Sequence, residues 1–129
     1  MPSEKSKIKI LLVEDERSIA DMYKMKFERE GFEVIYIDNG DGVLKTVLEK
    51  KPNIVLLDII LPKVDGFSVL KELKNNSKTK MTPIIMLTNL GQEEDINKAK
   101  KLGVDEYLVK ANLTPTQVVE KVKEILKIK

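Results

Sequence analysis

The sequence predicts an α/β fold, a five-stranded parallel sheet covered by helices on both faces, and three observations carry that reading. The runs Ile54-Val55-Leu56-Leu57 and Ile84-Ile85-Met86-Leu87 contain no polar residue and include β-branched side chains. Short runs of this kind are strands buried on both faces. Between the strand-like runs, apolar residues recur at helical spacing, so that strand and helix alternate five times. That alternation implies parallel strands joined by right-handed crossovers. Finally, a hydrophobic content of 42% with only 5% aromatic residues suits an aliphatic core, and 129 residues suffice to bury one as a single domain.

Residues 1–6 are expected to form a disordered tail, leaving 7–129 as the domain. The first strand is predicted over 8–13 and runs into Glu14-Asp15-Glu16. Ile19, Met22, Tyr23, Met25 and Phe27 mark the first helix, with Gly31 as its stop. Residues 32–37 alternate only in part, with Glu33 interrupting, as suits a less buried strand. After the turn Asn39-Gly40-Asp41-Gly42, the residues Val43, Leu44, Val47 and Leu48 predict a second helix that ends near Lys51-Pro52.

The strand at 54–57 comes next and runs straight into Asp58. Pro62 cannot donate to a sheet ladder, so that strand is over by then. Gly66 opens a third helix through Phe67, Val69, Leu70 and Leu73. A strand over 83–88 ends in Thr88, and Ile96, Ala99 and Leu102 give a fourth helix stopped by Gly103. Lys98, Lys100 and Lys101 are expected to form its solvated face. Tyr107-Leu108-Val109 is a short strand bracketed by Glu106 and Lys110, as edge strands often are. Thr114, Pro115 and Gln117 form a capping box with proline at the first helical position, opening a fifth helix along Val118, Val119, Val122, Ile125 and Leu126. The two wholly apolar strands belong inside the sheet and the half-polar ones at its edges. The order 2-1-3-4-5 satisfies both conditions and makes the fold doubly wound and flavodoxin-like.

Composition narrows the function. A net charge of +2 does not point to nucleic acid. With no His and no Cys, a His-containing triad, His metal sites, disulfides and thiol chemistry are excluded. No run reaches the length of a transmembrane helix and the first residues lack a signal-peptide core, so a cytoplasmic location is expected.

All carboxyl ends of a parallel sheet share one edge, where ligands bind in such folds. Glu14, Asp15, Asp58, Thr88 and Lys110 each follow or end a strand, so they should cluster there. A single Asp in such a place commonly only caps a helix or makes a turn. Three converging carboxylates are different, because they repel one another and stay ionised only beside a cation. An all-oxygen set suits Mg²⁺. Together with an ammonium and a hydroxyl, it suits in-line phosphoryl transfer to a carboxylate, with Asp58, the central one, as nucleophile.

These residues, namely Val13-Glu14-Asp15-Glu16, Leu57-Asp58-Ile59-Ile60-Leu61-Pro62 with Asp65-Gly66, Thr88, and Tyr107-Leu108-Val109-Lys110, closely resemble a bacterial two-component response-regulator receiver domain. The resemblance spans nearly the whole chain and implies the single-domain form. It implies that Asp58 accepts a phosphoryl group from a sensor histidine kinase or a phosphotransfer protein. Glu14, Asp15, Asp58 and the backbone carbonyl of Ile60 would hold Mg²⁺, and Thr88 and Lys110 would bind the phosphoryl group. Thr88 and Tyr107 would move together as a switch. The chain would be a signalling phosphoacceptor that catalyses only its own phosphorylation and dephosphorylation.

The resemblance also implies a downstream protein target, bound on the face of the fourth helix, the Tyr107 strand and the last helix. No direct contact with nucleic acid or membrane is expected, and the chain would be a monomer, or a weak dimer on phosphorylation. Three departures from the family's pattern stand out. Ala111 follows Lys110 where the family usually has a cis proline, so a trans bond is expected. Asn89 replaces a smaller residue and would narrow donor access. Ile60 and Leu90 are both apolar where they flank the approach of water, which predicts a long-lived phosphorylated state.

Two other functions are compatible with this fold class. A flavin- or nucleotide-binding enzyme on this fold needs a phosphate loop after the first strand, and Glu14-Asp15-Glu16 would repel the phosphate. A phosphorylation-independent interaction module remains the alternative, with the intact acidic cluster against it.

Overall fold

The computed structural model describes residues 7–129, so the tail expected at 1–6 lies outside the described residues. The elements are β1 (Lys9–Val13), α1 (Arg17–Arg29), β2 (Glu33–Ile37), α2 (Val43–Lys50), β3 (Ile54–Leu57), α3 (Gly66–Lys74), β4 (Ile84–Thr88), α4 (Glu93–Lys101), β5 (Glu106–Val109) and α5 (Pro115–Leu126). A short 3-10 turn, Lys110–Asn112, links β5 to α5. The strands pair in parallel in the order β2-β1-β3-β4-β5, as predicted.

The period of two along a strand explains the two cores. Ile10, Leu12, Ile54, Leu56, Ile85 and Leu87 point to one face and pack on Ala20, Tyr23 and Phe27 of α1 and on Val118, Val119 and Val122 of α5. Leu11, Val13, Val55, Leu57, Ile84 and Met86 point to the other, against Val43 and Val47 of α2, Val69, Leu70 and Leu73 of α3 and Ala99 of α4. Every residue of β3 and β4 is buried. β2 and β5 are largely half-buried, as edges should be.

Strand bounds differ from the sequence reading by one residue. Ile8 lies outside β1, Phe32 outside β2 and Pro83 outside β4, while Glu106 joins β5. The face of α1 differs more. Met22 and Met25 are 43% and 54% exposed, and the helix buries Tyr23 and Phe27, as read, together with Ala20. Those three are spaced i, i+3, i+7, the stripe a surface helix turns to its core. Nor is Lys98 merely solvated, since its ammonium lies 4.4 Å from the centroid of the Phe67 ring and ties α4 to α3.

The capping box of α5 is present in both directions. No cis peptide bond occurs among the described residues, so Lys110–Ala111 is trans. No helix among the described residues is long and apolar enough to cross a membrane.

Candidate functional site

The register of the sheet assembles the site. Val13 lies beside Leu57, Leu57 beside Met86, and Thr88 beside Val109. The next residue along β1, β3 and β5 is therefore Glu14, Asp58 or Lys110, all at one edge. The ladder continues one step past β3, where the Asp58 N–H donates to the Val13 carbonyl at 3.1 Å. Its backbone is thus fixed by the sheet rather than by a loop. The approach of α3 is also tight. A Cβ on Gly66 would lie 2.2 Å from the Asp58 carbonyl oxygen, so only glycine fits where α3 meets the end of β3.

Lys110 is the hub. Its ammonium donates to Asp58 Oδ2 at 2.8 Å and also to Glu14 Oε1. The Ile59 N–H donates to Asp58 Oδ1 at 2.7 Å, and the Glu16 N–H to Glu14 Oε2 at 3.0 Å. Both carboxylates are buried, and each has a partner on both oxygens. Burial pushes the Glu14 carboxyl up despite the opposing pull of Lys110 and the Glu16 amide. For Lys110, burial alone would lower the pKa, but its bonds to Asp58 and Glu14 outweigh burial and the net direction is up. The ammonium is therefore a fixed charge at neutral pH.

Asp15 is exposed beside this pair, and its carboxylate, with those of Glu14 and Asp58, offers oxygens that all lie within 4.8 Å of one another. Three carboxylates facing one ammonium leave two negative charges uncompensated, which matches a divalent cation. The donors are all oxygen, the set that suits Mg²⁺. The residues fit the ion on charge and on donor type.

Asp15, Glu16, Asp58, Ile60, Thr88, Asn89, Leu90 and Lys110 line one cleft of about 180 Å³. Glu14 and Tyr107 do not line it, but Glu14 is tied to it through Lys110 and Tyr107 through the Leu90 carbonyl. Ile60 stands at the rim, 62% exposed, and Leu90 is half-buried. Thr88 and Tyr107 meet through the backbone of Leu90. The Leu90 N–H donates to Thr88 Oγ1 at 3.3 Å, and the Tyr107 hydroxyl donates to the Leu90 carbonyl. Burial, with lesser contributions from Asp95 and Asp58, pushes the Tyr107 hydroxyl up to about 12.

The sequence reading did not identify three participants. Glu16 lines the cleft, and its only signal was its place in the acidic run. Tyr36 donates to the Glu14 carbonyl at 2.7 Å across the β2 edge, which no local pattern announces. Asp65 caps α3 by accepting from the Ser68 N–H, a link that the Asp65-Gly66-Phe67-Ser68 spacing could have disclosed.

Comparison with known proteins agrees with this geometry. A family model described as the response regulator receiver domain matches residues 10–123. The alkaline phosphatase synthesis transcriptional regulatory protein PhoP of Bacillus subtilis (strain 168) is 40% identical over 119 residues, covering 92% of this chain and 48% of its own length. The chain spans about half the length of the curated relatives it matches. Among solved structures, a CheY-like response regulator receiver domain protein from Methanospirillum hungatei JF-1 superposes with a TM-score of 0.87 at 30% identity, covering 95% of both chains. The Mn²⁺-bound form of response regulator Rcp1 superposes with a TM-score of 0.78 at 28% identity, covering 89% of this chain and 91% of its own.

Proposed function

The chain belongs to the response regulator receiver domain family, and from that membership we propose that it takes a phosphoryl group onto Asp58 from a phosphohistidine of a sensor kinase or phosphotransfer protein. The observation that carries this reading is the ammonium of Lys110 bonded at once to buried Asp58 and Glu14, beside an exposed Asp15 and in the same cleft as Thr88. In the reaction an Asp58 oxygen attacks phosphorus, the N–P bond of the donor breaks, and its electron pair returns to the imidazole. Lys110 leaves the Asp58 carboxylate to face the arriving phosphoryl oxygens and offset their charge. The Thr88 hydroxyl, freed from the Leu90 amide, donates to the same group.

Glu14, Asp15, Asp58 and the Ile60 carbonyl would hold Mg²⁺, which neutralises phosphoryl charge when bound. Rcp1, a response regulator of similar structure, has been solved in a Mn²⁺-bound form, which supports a divalent cation in such a chain. Catalysis is limited to the chain's own phosphorylation and dephosphorylation. Once Thr88 turns to the phosphoryl group, its link to Leu90 is lost and the Tyr107 ring follows, so the surface of α4, β5 and α5 changes for a protein target. Phosphorylation leaves the chain a monomer or promotes a weak dimer. Ile60 and Leu90 offer no group to orient a water, so the phosphorylated state is long-lived.

Incubation with acetyl phosphate and Mg²⁺, followed by intact-mass measurement, tests the reading. The expected result is one added phosphate in the wild type and none in Asp58→Asn. Added mass retained in Asp58→Asn would sink the assignment, and no added mass in the wild type would favour a phosphorylation-independent module. Once the donor is removed, the double variant Ile60→Asn/Leu90→Glu should lose its phosphate faster than the wild type. Equal decay would remove the two side chains from the control of water.

A further inference from the structure

Asn89 and Ala111 were two separate departures in sequence, and in the structure they are bonded to each other. The Ala111 N–H donates to Asn89 Oδ1 at 3.0 Å. Ala111 lies in the first turn of the 3-10 segment, where amides have no partner within the turn itself. A proline at 111 would offer no N–H, whereas alanine offers one, and Asn89 accepts it. Both residues are exposed, so water could satisfy that amide equally well. The bond's contribution is therefore one of position. It ties the backbone immediately after Lys110 to the side chain of the residue immediately after Thr88.

We propose that Asn89 is a positioning residue for phosphoryl acceptance, clasping the Ala111 amide so that the Lys110 ammonium is held over Asp58. The role rests on the reaction proposed above. Lys110 follows the last residue of β5 and is itself the first residue of the three-residue turn, after which the chain opens at Leu113, whose backbone is extended. The Leu113 N–H closes that turn on the Lys110 carbonyl at 3.2 Å, but this bond holds the turn to itself and not to the site. The clasp to Asn89 supplies the external anchor. The side chain that seemed to obstruct the donor's path thereby holds the cation the donor needs.

The two roles predict opposite outcomes for Asn89→Ala. If Asn89 positions Lys110, phosphate uptake from acetyl phosphate should slow by roughly three- to tenfold, the range of one hydrogen bond. Hydrogen exchange at the Ala111 amide and at the Lys110 ammonium, followed by NMR, should speed up, while thermal melting stays near that of the wild type. Faster uptake would make Asn89 a gate and overturn the proposal, and so would unchanged uptake. Slower uptake with unaltered exchange at the Lys110 ammonium would also overturn it, because the effect would then not pass through Lys110. A wild-type chain that accepts no phosphoryl group would remove the reaction and this role together, whereas the other outcomes remove this role alone.

Discussion

Tyr107 keeps its proton because burial, with lesser contributions from the nearby Asp95 and Asp58, disfavours the phenolate, and its hydroxyl donates to the Leu90 carbonyl. Folding raises its pKa from the ordinary 10.0 to about 12, so between those values the folded chain binds more protons than the unfolded one. The stability tied to this hydroxyl is complete below pH 10.0 and is lost as pH rises toward about 12. In Tyr107→Phe that term is absent. The wild type should therefore exceed the variant by about 1 kcal/mol at neutral pH, the worth of one hydrogen bond, with the gap closing in alkali. Urea midpoints measured along a pH series check this, and a constant gap would mean that the hydroxyl is not held. Lys110 shifts in the same direction, but it is common to both chains and cancels from the comparison.

The junction between β3 and α3 is where an element constrains the chemistry. Gly66→Ala would drive a Cβ to 2.2 Å from the Asp58 carbonyl and 2.6 Å from the Ile59 Cα, both backbone atoms that cannot swing aside. The expected cost is ~1–3 kcal/mol of stability, with phosphate uptake slowed because the end of β3 must move. Gly31→Ala is the control. It strains a residue at φ +95° with open space around it, so it should lower stability and leave uptake intact. Equal uptake in the two variants would show that helix placement does not set the Asp58 position.

The same scale shows what the sequence disclosed. Strand ends were legible because Asp58 and Thr88 interrupt unbroken apolar runs, and the order of strands followed from which runs were wholly apolar. The exposed face of α1 was not legible, because Met22 and Met25 fit a helical stripe as well as Ala20 does, and only the opposing sheet decides between them. Cross-strand partners such as Tyr36 to Glu14 and Asn89 to Ala111 were hidden for the same reason, since nothing local records which residues meet across the sheet edge.

For the whole molecule, a cation bound among Glu14, Asp15 and Asp58 must stabilise the folded state by mass action. At a hundredfold excess of Mg²⁺ over its Kd, the gain should be about 2.7 kcal/mol in urea denaturation. Asp15→Ala should lose most of that gain and, without Mg²⁺, be as stable as the wild type or more so, because a like charge is gone. An undiminished gain in Asp15→Ala would remove that residue from the metal site. The span of chain that builds this centre has a further consequence. Lys110 meets Asp58 across 52 positions and Glu14 across 96. No fragment made early in synthesis contains both the acceptor and its cation, and contacts so distant along the chain close late in folding. If Asp58 accepts and Lys110 serves it as proposed, a nascent receiver should take up no phosphoryl group until the segment bearing Lys110 has been made and folded.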